Sequence, residues 1–360
     1  MNEPILSRRE WLALSATVAA APALAATAQA PRLRLSLNEN AWGPSPRVRP
    51  AIARAAAGIE RYVERDEVEA LTRQIAALER VDPAQVVIGE VLEPLGLYLT
   101  RQRPGGGEIV YSAPGYTALI DSAAPLGGRG VPVPLDARLE NDLPALTRAI
   151  TDKTLAVSLV NPHNPSGTAN ETQALHRFIE DSARRTLVVV DEAYLEYDAF
   201  DQKSAIGHVR AGRNVLVFRT LAKIYGLAGL AIGYAVAPVE LAKGLKAAGI
   251  GAPHSLTRPG LAAAGVVLAD QAHVQSVRRA TLAEREKLNA LIDQRGWRRT
   301  DSRANFVFFQ PPRPQALRDA LKQAGIDIAR PFPPLNDWLR ITIGRTAETA
   351  RVLTLLRNWS

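Results

Sequence analysis

The sequence predicts an α/β fold, in which a mostly parallel mixed sheet is flanked by helices and is followed by a smaller α+β domain. Four short apolar runs rich in β-branched residues, each bounded by turn residues, predict strands at 108–112, 154–160, 186–190 and 215–219. Around these runs the spacing of Val, Leu and Ile is helical, as it is over 63–80. Alternation of strands with helices is typical of a layered fold around a largely parallel sheet.

The C-terminal third of the chain has a different pattern. Residues 272–293 have helical spacing, and two segments with strand character follow at 296–310 and 334–344. They predict a separate α+β unit, and 360 residues are enough for two domains. We therefore divide the chain into an N-terminal arm, a large domain and a small C-terminal domain, at 31–58, 59–250 and 251–360.

Composition and charge exclude several classes of protein. Hydrophobic residues make up 47% of the chain and charged residues 22%, as in an ordinary globular protein. The net charge of +8, from 44 Lys and Arg against 36 Asp and Glu, comes from scattered arginines, so nucleic acid is not an expected partner. The chain contains no cysteine, which excludes metal–thiolate sites and cysteine nucleophiles.

The first thirty residues resemble an export signal. Ser7-Arg8-Arg9 is followed by an apolar, alanine-rich stretch and then by Ala28-Gln29-Ala30, which offers a cleavage site of small residues. We expect residues 1–30 to be a twin-arginine signal that is removed near Pro31 once the folded protein reaches the periplasm. The alternative is an amphipathic or membrane-buried N-terminal helix, although Pro22 and the alanine content disfavour a stable spanning helix. After cleavage no stable membrane insertion is expected.

Three of the predicted strands are followed by polar side chains that can do chemistry. Asn164 lies in the turn NPHNPSG after the second predicted strand, Asp191 and Tyr194 follow the third, and Lys223 follows the fourth. Each of these segments also has an ordinary structural explanation. The Asn164 segment can be only a turn, Asp191 can cap a helix, and Lys223 can be a solvated surface lysine. Because ligands bind at the carboxyl ends of parallel strands, these side chains are placed where a crevice is expected.

An amide, an acid, a phenol and an amine in this order suit pyridoxal phosphate chemistry. The chain resembles the fold-type I aminotransferases of class I and II, and most closely the histidinol-phosphate aminotransferase group. The matching segments follow the family's order along nearly the whole chain after residue 30. They are LSLNENAWGPSP (35–46), IERYVERDEVEAL (59–71), NPHNPSGT (161–168), VVVDEAYLEY (188–197), RTLAKIYGLAGLAIGYA (219–235), SRANFVFF (302–309) and LRITIG (339–344).

The resemblance implies a cofactor, pyridoxal 5′-phosphate, and a role for each polar residue in a large cofactor-binding domain. Lys223 would carry the cofactor as a Schiff base and would move the proton on the substrate Cα. Asp191 would keep the ring nitrogen protonated, and Asn164 and Tyr194 would hydrogen-bond the ring oxygen. Tyr116, in the segment APGYTAL, would stack on the ring.

The resemblance also implies residues that bind the substrate and a partner subunit. Arg340 would hold the substrate α-carboxylate as a bidentate fork. Arg330 would bind a substrate phosphate, unless it forms only a surface salt bridge. Tyr62 would reach the cofactor phosphate of a neighbouring subunit, which implies a homodimer; the alternative is a half-buried tyrosine that packs at the domain edge.

The segments that normally bind the cofactor phosphate differ in this chain. The hydroxyl residue expected before the lysine is replaced by Ala222, and the arginine expected eight residues after it by Ala231. The loop that usually presents a small residue and an acid is Gly89-Glu90-Val91-Leu92-Glu93-Pro94. The backbone amides of Val91 and Leu92 can still bind phosphate at a helix start. Each lost charge-assisted hydrogen bond is worth about 1.5 to 3 kcal/mol, so we expect weaker cofactor binding.

These observations predict a pyridoxal-phosphate-dependent aminotransferase that exchanges amino and oxo groups between an amino acid or amino-alcohol phosphate and a 2-oxo acid. Two alternatives stay open. One is other pyridoxal phosphate chemistry, as in a decarboxylase or racemase. The other is a non-catalytic periplasmic binding protein with a degraded phosphate site. Export is hard to reconcile with histidine biosynthesis, so the substrate itself is left open.

Overall fold

The computed structural model describes residues 32–198 and 200–359, so the predicted export signal at 1–30 lies outside the described residues. The strands are β1 (Leu33–Leu35), β2 (Val86–Ile88), β3 (Glu108–Ala113), β4 (Arg129–Pro134), β5 (Thr154–Val160), β6 (Leu187–Asp191), β7 (Val215–Thr220), β8 (Gly233–Val236), β9 (Arg298–Arg299), β10 (Phe306–Gln310), β11 (Ile326–Ile328) and β12 (Leu339–Thr342). The helices are α1 (Val48–Ala56), α2 (Arg65–Glu79), α3 (Leu92–Arg101), α4 (Ala118–Ala123), α5 (Leu143–Ala149), α6 (Thr172–Ala183), α7 (Phe200–Lys203), α8 (Ile206–Arg210), α9 (Val239–Ala247), α10 (Arg258–Ala269), α11 (Gln271–Gln294), α12 (Pro314–Gln323) and α13 (Thr346–Arg357). None of the helices in these ranges is both long and apolar enough to cross a membrane.

A seven-stranded sheet forms the centre of the larger unit, in the order β2-β8-β7-β6-β5-β3-β4. Strand β8 runs antiparallel to both of its neighbours, and the remaining neighbours pair in parallel. The central strands are apolar on both faces: Val188 and Val190 of β6 pack into one core cluster, and Leu187 and Val189 into another. The predicted α/β fold is confirmed, and the predicted strands match β3, β5, β6 and β7 to within a residue at each end.

The strand register places the ends of three parallel strands side by side. Val160 at the end of β5 pairs with Asp191 at the end of β6, and Asp191 pairs with Phe218 of β7. The segments that leave these strands therefore start at one edge of the sheet. This edge is where the sequence analysis expected a crevice.

The C-terminal unit is built on a three-stranded antiparallel sheet, in which β10 lies between β12 and β9. Phe309 of β10 and Ile341 of β12 pack in one apolar cluster with Leu321 of α12 and Leu356 of α13. This cluster is separate from those that cover the central sheet. The predicted smaller α+β unit is thus present.

Helix α11 connects the two units. Val274 and Val277, near its start, pack in the core of the central sheet, whereas Leu288 and Ile292, near its end, pack in the core of the C-terminal unit. The helix spans 24 residues, which is about 36 Å at 1.5 Å per residue. One continuous helix therefore contributes to both cores.

The segment before α1 ties the C-terminal unit to the edge of the central sheet. Strand β1 pairs in parallel with β11, and the chain then runs to the loop after β7, where the Asn40 Nδ2 donates to the Ile224 carbonyl over 2.8 Å. Gly226 makes this contact possible, because its φ is +74° and a Cβ there would lie 2.6 Å from the Pro44 nitrogen. Residues 36–39 of this segment thereby reach the crevice.

Candidate active site

A cavity of 730 Å³ lies at the carboxyl ends of β5, β6 and β7, between the two units and under residues 36–39. Seven of the ten sequence-predicted site residues line it: Tyr116, Asn164, Asp191, Tyr194, Lys223, Arg330 and Arg340. They come from segments more than 200 residues apart in the chain, counted from Tyr116 to Arg340. The tertiary structure therefore brings these side chains into one site.

Asp191 supplies a buried carboxylate at the end of β6. Its side chain is only 5% exposed, and its Oδ1 accepts a hydrogen bond of 2.9 Å from the Ala193 amide. Burial raises the pKa of Asp191 from its ordinary 3.8 to about 7, although the Ala193 amide and the positive charge of Lys223 act in the opposite direction. A cation placed against this carboxylate would favour its ionised form, as the protonated ring nitrogen of the expected cofactor would.

Lys223 and Tyr194 lie next to each other beneath the N-terminal segment. The Lys223 Nζ donates to the Leu37 carbonyl over 3.2 Å and lies 5.9 Å from the centre of the Tyr194 ring. The buried Tyr194 hydroxyl accepts a 3.0 Å hydrogen bond from the Nδ2 of Asn38. Because the hydroxyl oxygen already accepts this hydrogen bond, its own hydrogen is available to a ligand oxygen in the cavity.

Arg340 of β12 reaches from the C-terminal unit into the same cavity. Its Nη1 donates to the Asn164 Oδ1 and its Nη2 to the Ser36 carbonyl over 2.8 Å, while its buried Nε has no partner among the described residues. Its guanidinium lies 5.3 Å from the centre of the Phe306 ring and 5.0 Å from that of Phe332. Burial lowers the pKa of Arg340 to about 10, so an anionic ligand would stabilise its charge.

Two contacts define what Asn164 and Arg330 can bind. Since the Asn164 Oδ1 accepts from Arg340, its Nδ2 is the group left to donate to a ring oxygen. The exposed Arg330 donates from Nη1 to the Pro331 carbonyl over 3.1 Å and lies 5.3 Å from the Phe332 ring centre. Its guanidinium is at the solvent side of the cavity, in reach of a second anionic group of a substrate.

Three predicted residues do not line the cavity with their side chains. Tyr62 is 85% exposed, and its carbonyl accepts a hydrogen bond from Arg258 over 2.8 Å. Val91 and Leu92 are buried in the core on one face of the sheet, so they can offer the cavity only backbone amides. Val91 directly precedes α3 and Leu92 is its first residue, and backbone amides at these positions lack intrahelical partners.

Asn38 and Thr220 also line the cavity, although neither belongs to the site residues predicted from the sequence. Thr220 could have been found from its position as the last residue of β7, three residues before Lys223. In the sequence, Asn38 is only one of the polar residues of the segment LSLNEN, so no signal marks it as a site residue. Its positive φ of 56° is seen only in the structure.

The family of this chain is shown by its similarity to known proteins. The family model for class I and II aminotransferases matches residues 30–355. The chain belongs to this family. The resemblance inferred from the sequence motifs is therefore confirmed, and this protein is a pyridoxal-phosphate-dependent aminotransferase.

The aminotransferase is similar to curated relatives along almost its whole length. It is 32% identical over 331 residues to a histidinol-phosphate aminotransferase of Limosilactobacillus fermentum, covering 91% of this chain and 90% of the relative. It is also 32% identical over 339 residues to an aromatic amino acid aminotransferase of Mycobacterium sp. strain KMS, covering 91% and 92%. A solved structure of histidinol-phosphate aminotransferase from Sinorhizobium meliloti, in complex with pyridoxal 5′-phosphate, has a TM-score of 0.81 and 30% identity over 91% of this chain and 92% of that one.

The residues of this aminotransferase fit the ring of pyridoxal phosphate. A buried carboxylate, an amide that can donate and a tyrosine hydroxyl with a free hydrogen surround the amine of Lys223 in one cavity. The ring of Tyr116, 45% exposed, forms part of the same wall and is large enough to cover a flat ligand. The donor set therefore suits a flat ring with a basic nitrogen, an oxygen and an aldehyde.

The wall where the cofactor phosphate is expected is acidic. We use the name phosphate corner for the residues Glu90, Glu93, Thr220, Ala222 and Ala231, which all line the cavity. Thr220 Oγ1 donates to the Glu90 Oε1 over 2.9 Å, and it accepts the Ala222 amide over 3.1 Å. Burial raises the pKa of Glu90, and the negative charge of Glu93 adds to this effect. Of these five residues, two have carboxyl groups and none is a cation, while the positive charge of Lys223 acts on Glu90 from beside the corner.

A buried ion-pair network surrounds β7, the strand that precedes Lys223. Arg219 of β7 binds the Glu79 Oε1 over 2.7 Å and Glu192 Oε2 over 3.0 Å, and Tyr234 donates to the same Glu79 oxygen over 2.6 Å. The arginine and both carboxylates have side chains no more than 3% exposed. Because buried charges are costly unless paired, this network strongly favours one position for the end of β7.

Proposed function

We propose that this aminotransferase transfers an amino group from a substrate with an anionic group, either an amino acid or an amino-alcohol phosphate, to a 2-oxo acid. The observation that carries this proposal is Arg340. Its guanidinium is buried against two aromatic rings, and its side chain lines the cavity that also contains Lys223 and Asp191. Its buried Nε has no hydrogen-bond partner among the described residues. A carboxylate or phosphate is the natural partner of a buried arginine in such a position.

The names of the relatives define the two substrates to compare. The relative from Limosilactobacillus fermentum is a histidinol-phosphate aminotransferase, and that from Mycobacterium sp. strain KMS is an aromatic amino acid aminotransferase. Histidinol phosphate has a phosphate and no carboxylate, whereas an aromatic amino acid has a carboxylate. Both groups suit Arg340, and Arg330 at the solvent side would add to the binding of a phosphate in particular.

Each residue of the site then has a task in the transfer. Pyridoxal phosphate supplies a protonated ring that accepts the electron pair left when a proton leaves the substrate Cα. Asp191 would hold the proton on the ring nitrogen, and Asn164 and Tyr194 would donate hydrogen bonds to the ring oxygen. The Lys223 Nζ would hold the cofactor and would move the proton from the substrate Cα. Arg340 orients the substrate by its anionic group.

A spectrum of the purified protein tests the role of Lys223. We expect a visible absorption band that disappears on borohydride reduction, with a pyridoxyl group mapped to Lys223 by peptide analysis. Lys223→Ala should lose the reducible band while it keeps a folded circular dichroism spectrum. A native protein that shows no such band with excess cofactor would contradict the proposal and favour a non-catalytic binding protein.

Product analysis separates transamination from other pyridoxal phosphate chemistry. With L-phenylalanine or histidinol phosphate as amino donor, we expect turnover to need a 2-oxo acid such as 2-oxoglutarate and to produce glutamate in equal amount. Formation of carbon dioxide or of the D-amino acid without any 2-oxo acid would instead indicate a decarboxylase or a racemase.

We also propose that the aminotransferase is exported folded to the periplasm by a twin-arginine signal. The support is the order Arg8-Arg9, apolar stretch and Ala28-Gln29-Ala30 in the sequence. Expression in a bacterial host should give periplasmic protein that begins near Pro31, and the double change Arg8→Lys with Arg9→Lys should block its export. Periplasmic protein that retains Met1 would contradict cleavage.

We further propose that two copies form a homodimer in which Tyr62 completes the partner's cofactor site. The proposed homodimer is supported by the exposure of two large apolar residues. Tyr62 is 85% exposed and Ile59 is 71% exposed, which is unusual for residues of this kind that lie close together in sequence. Mixing inactive Tyr62→Ala and Lys223→Ala proteins should restore activity, because a mixed dimer has one site with both native residues. If the mixture stays inactive although mixed dimers form, Tyr62 acts within its own chain or not at all.

A further inference from the structure

The hydrogen bond between Thr220 and Glu90 determines what the phosphate corner can offer a ligand. A threonine hydroxyl has a single hydrogen, and Thr220 Oγ1 accepts the Ala222 amide while it donates to the Glu90 Oε1. The hydroxyl hydrogen is therefore already used within the protein. A phosphate that enters the corner finds this threonine without a free donor.

Backbone donors in the corner are also fewer than a helix start normally provides. The first turn of α3 follows Val91 and contains Leu92, Glu93 and Pro94. Proline has no amide hydrogen, so one of the usual first-turn donors is missing. The remaining amides alone face a group that carries nearly two negative charges at neutral pH.

The side chains around the corner add negative charge on balance. Glu93 of α3 and Asp191 of β6 interact with the Glu90 carboxyl with like charge, and Tyr116 also faces it. Among the described residues, Lys223 is the cation whose charge acts on Glu90. The other two cations of the cavity, Arg330 and Arg340, belong to the C-terminal unit.

We propose that Glu90 is itself a phosphate-binding residue, which holds the cofactor phosphate as the neutral acid and repels it as the carboxylate. The proposal rests on the proposed function, in which Lys223 carries the cofactor. Since the Glu90 Oε1 accepts from Thr220, the proton of the neutral acid lies on Oε2, which then donates to a phosphate oxygen. In this arrangement one side chain replaces donors that Ala222 and Ala231 cannot provide.

Proton uptake on cofactor binding follows from this arrangement. Burial and Glu93 already raise the pKa of Glu90 in the free protein, and a phosphate beside it raises that pKa further. Between the two pKa values the free protein has an ionised Glu90 and the complex a neutral one. In that window the Kd for the phosphate-bearing ligand rises by up to about tenfold per pH unit.

A ligand without the aldehyde isolates this effect from the chemistry of Lys223. 4′-Deoxypyridoxine 5′-phosphate has the ring and the phosphate but cannot react with the lysine, and 4′-deoxypyridoxine lacks the phosphate as well. Titration calorimetry of both ligands with the native protein, Glu90→Gln and Glu93→Gln, from about pH 6 to about pH 9, gives Kd and the number of protons taken up. Circular dichroism and thermal unfolding of each variant verify that it is folded.

The expected result is specific to one residue and one ligand. For the phosphate ligand, the native protein loses affinity with rising pH by up to about tenfold per unit more steeply than Glu90→Gln, which binds more tightly at high pH. Glu93→Gln keeps this steep loss but shows it at lower pH, because the like charge that raises the pKa of Glu90 is absent. For the ligand without phosphate, the native protein and Glu90→Gln have parallel profiles. The calorimetric proton uptake approaches one in the native protein and disappears in Glu90→Gln.

Two results would overturn the proposal. One is a parallel pH profile of the native protein and Glu90→Gln with the phosphate ligand, which would mean that another donor, such as a partner subunit's side chain, neutralises the corner. The other is equal affinity for the two ligands at every pH, which would mean that the corner binds no phosphate. A failure of the proposed function is distinct from both, because it shows as the absence of a reducible cofactor at Lys223 while ligand binding stays dependent on Glu90.

Discussion

The Asn38 side chain donates a 3.0 Å hydrogen bond to the Tyr194 hydroxyl, across 156 residues of sequence. Asn38 is in turn held by Thr342, whose hydroxyl donates to the Asn38 Oδ1 over 3.1 Å. The C-terminal unit thereby controls the direction in which the Tyr194 hydroxyl points its hydrogen. Asn38, which no sequence motif singled out, is therefore part of the cavity that contains Lys223.

Substitution of Asn38 by Asp reverses that hydrogen bond, since a carboxylate can only accept. The Tyr194 hydrogen would then point to the new carboxylate and away from the cofactor ring oxygen. We expect kcat to fall about tenfold to a hundredfold, the equivalent of one hydrogen bond to a charged group. Steady-state kinetics and the pH dependence of the visible absorption band measure the effect, and Asn38→Gln, which can still donate, should retain more activity. Equal rates for native and Asn38→Asp proteins would contradict this role.

The ionisation of Asp191 should link folding stability to pH in the cofactor-free protein. The folded pKa is about 7 and the ordinary value is 3.8, so the folded state holds the proton more tightly than the unfolded chain. The sign follows: this contribution to stability is present below about pH 4 and is lost as the pH rises through about 7.

Asp191→Asn removes that dependence, because the amide does not ionise. In urea unfolding, the stability of the native protein should fall relative to that of Asp191→Asn by up to about 4 kcal/mol between about pH 4 and about pH 8. Added cofactor should reduce the difference, since a protonated ring nitrogen stabilises the carboxylate. Glu196, another buried carboxyl whose pKa is raised to about 7, is unchanged in both proteins and so cancels in the comparison.

Arg340 and Arg330 should have separable effects on substrate binding. Arg340 is buried, and its Nε has no hydrogen-bond partner in the described part of the chain, whereas Arg330 is exposed. Arg340→Lys removes the planar fork and should raise KM for the 2-oxo acid by about a hundredfold, with a smaller effect on kcat. Arg330→Ala should leave KM for L-phenylalanine within about threefold and weaken only a phosphate-bearing donor. If both variants weaken every substrate alike, the assignment of separate roles is wrong.

Restoring an arginine at position 231 should strengthen cofactor binding. Ala231 lines the phosphate corner and has a positive φ of 45°, so an arginine there would add no backbone strain beyond that of the alanine. The guanidinium would pair with the phosphate or with Glu90 and contribute about 1.5 to 3 kcal/mol, which is a tenfold to hundredfold lower Kd. Equilibrium dialysis of pyridoxal phosphate with Ala231→Arg, and with Ala231→Gln as the uncharged control, measures this gain. Unchanged affinity in Ala231→Arg would mean that the phosphate lies elsewhere.

Much of the site could be predicted because its members follow strands directly in the chain. Asp191 is the last residue of β6, and Lys223 comes three residues after β7, so the apolar runs that mark the strands also mark where these side chains must lie. The family motifs then indicated their tasks. Asn38 could not be found in this way, because its role depends on a segment that pairs with β11 and crosses to Tyr194.

By itself, the sequence determined the α/β layers, the positions of the lysine and the aspartate at the strand ends, and the loss of a hydroxyl and an arginine at Ala222 and Ala231. The layers and the strand ends depend on periodicity and on residues that are close in the chain, whereas the lost hydroxyl and arginine are inferred from the resemblance to the family. Only the tertiary structure decided that Thr220 gives its one hydroxyl hydrogen to Glu90, 130 residues away, and that the Arg340 Nε is buried without a partner among the described residues. Burial and hydrogen-bond direction depend on distances between remote segments, and such distances exist only after the chain has folded.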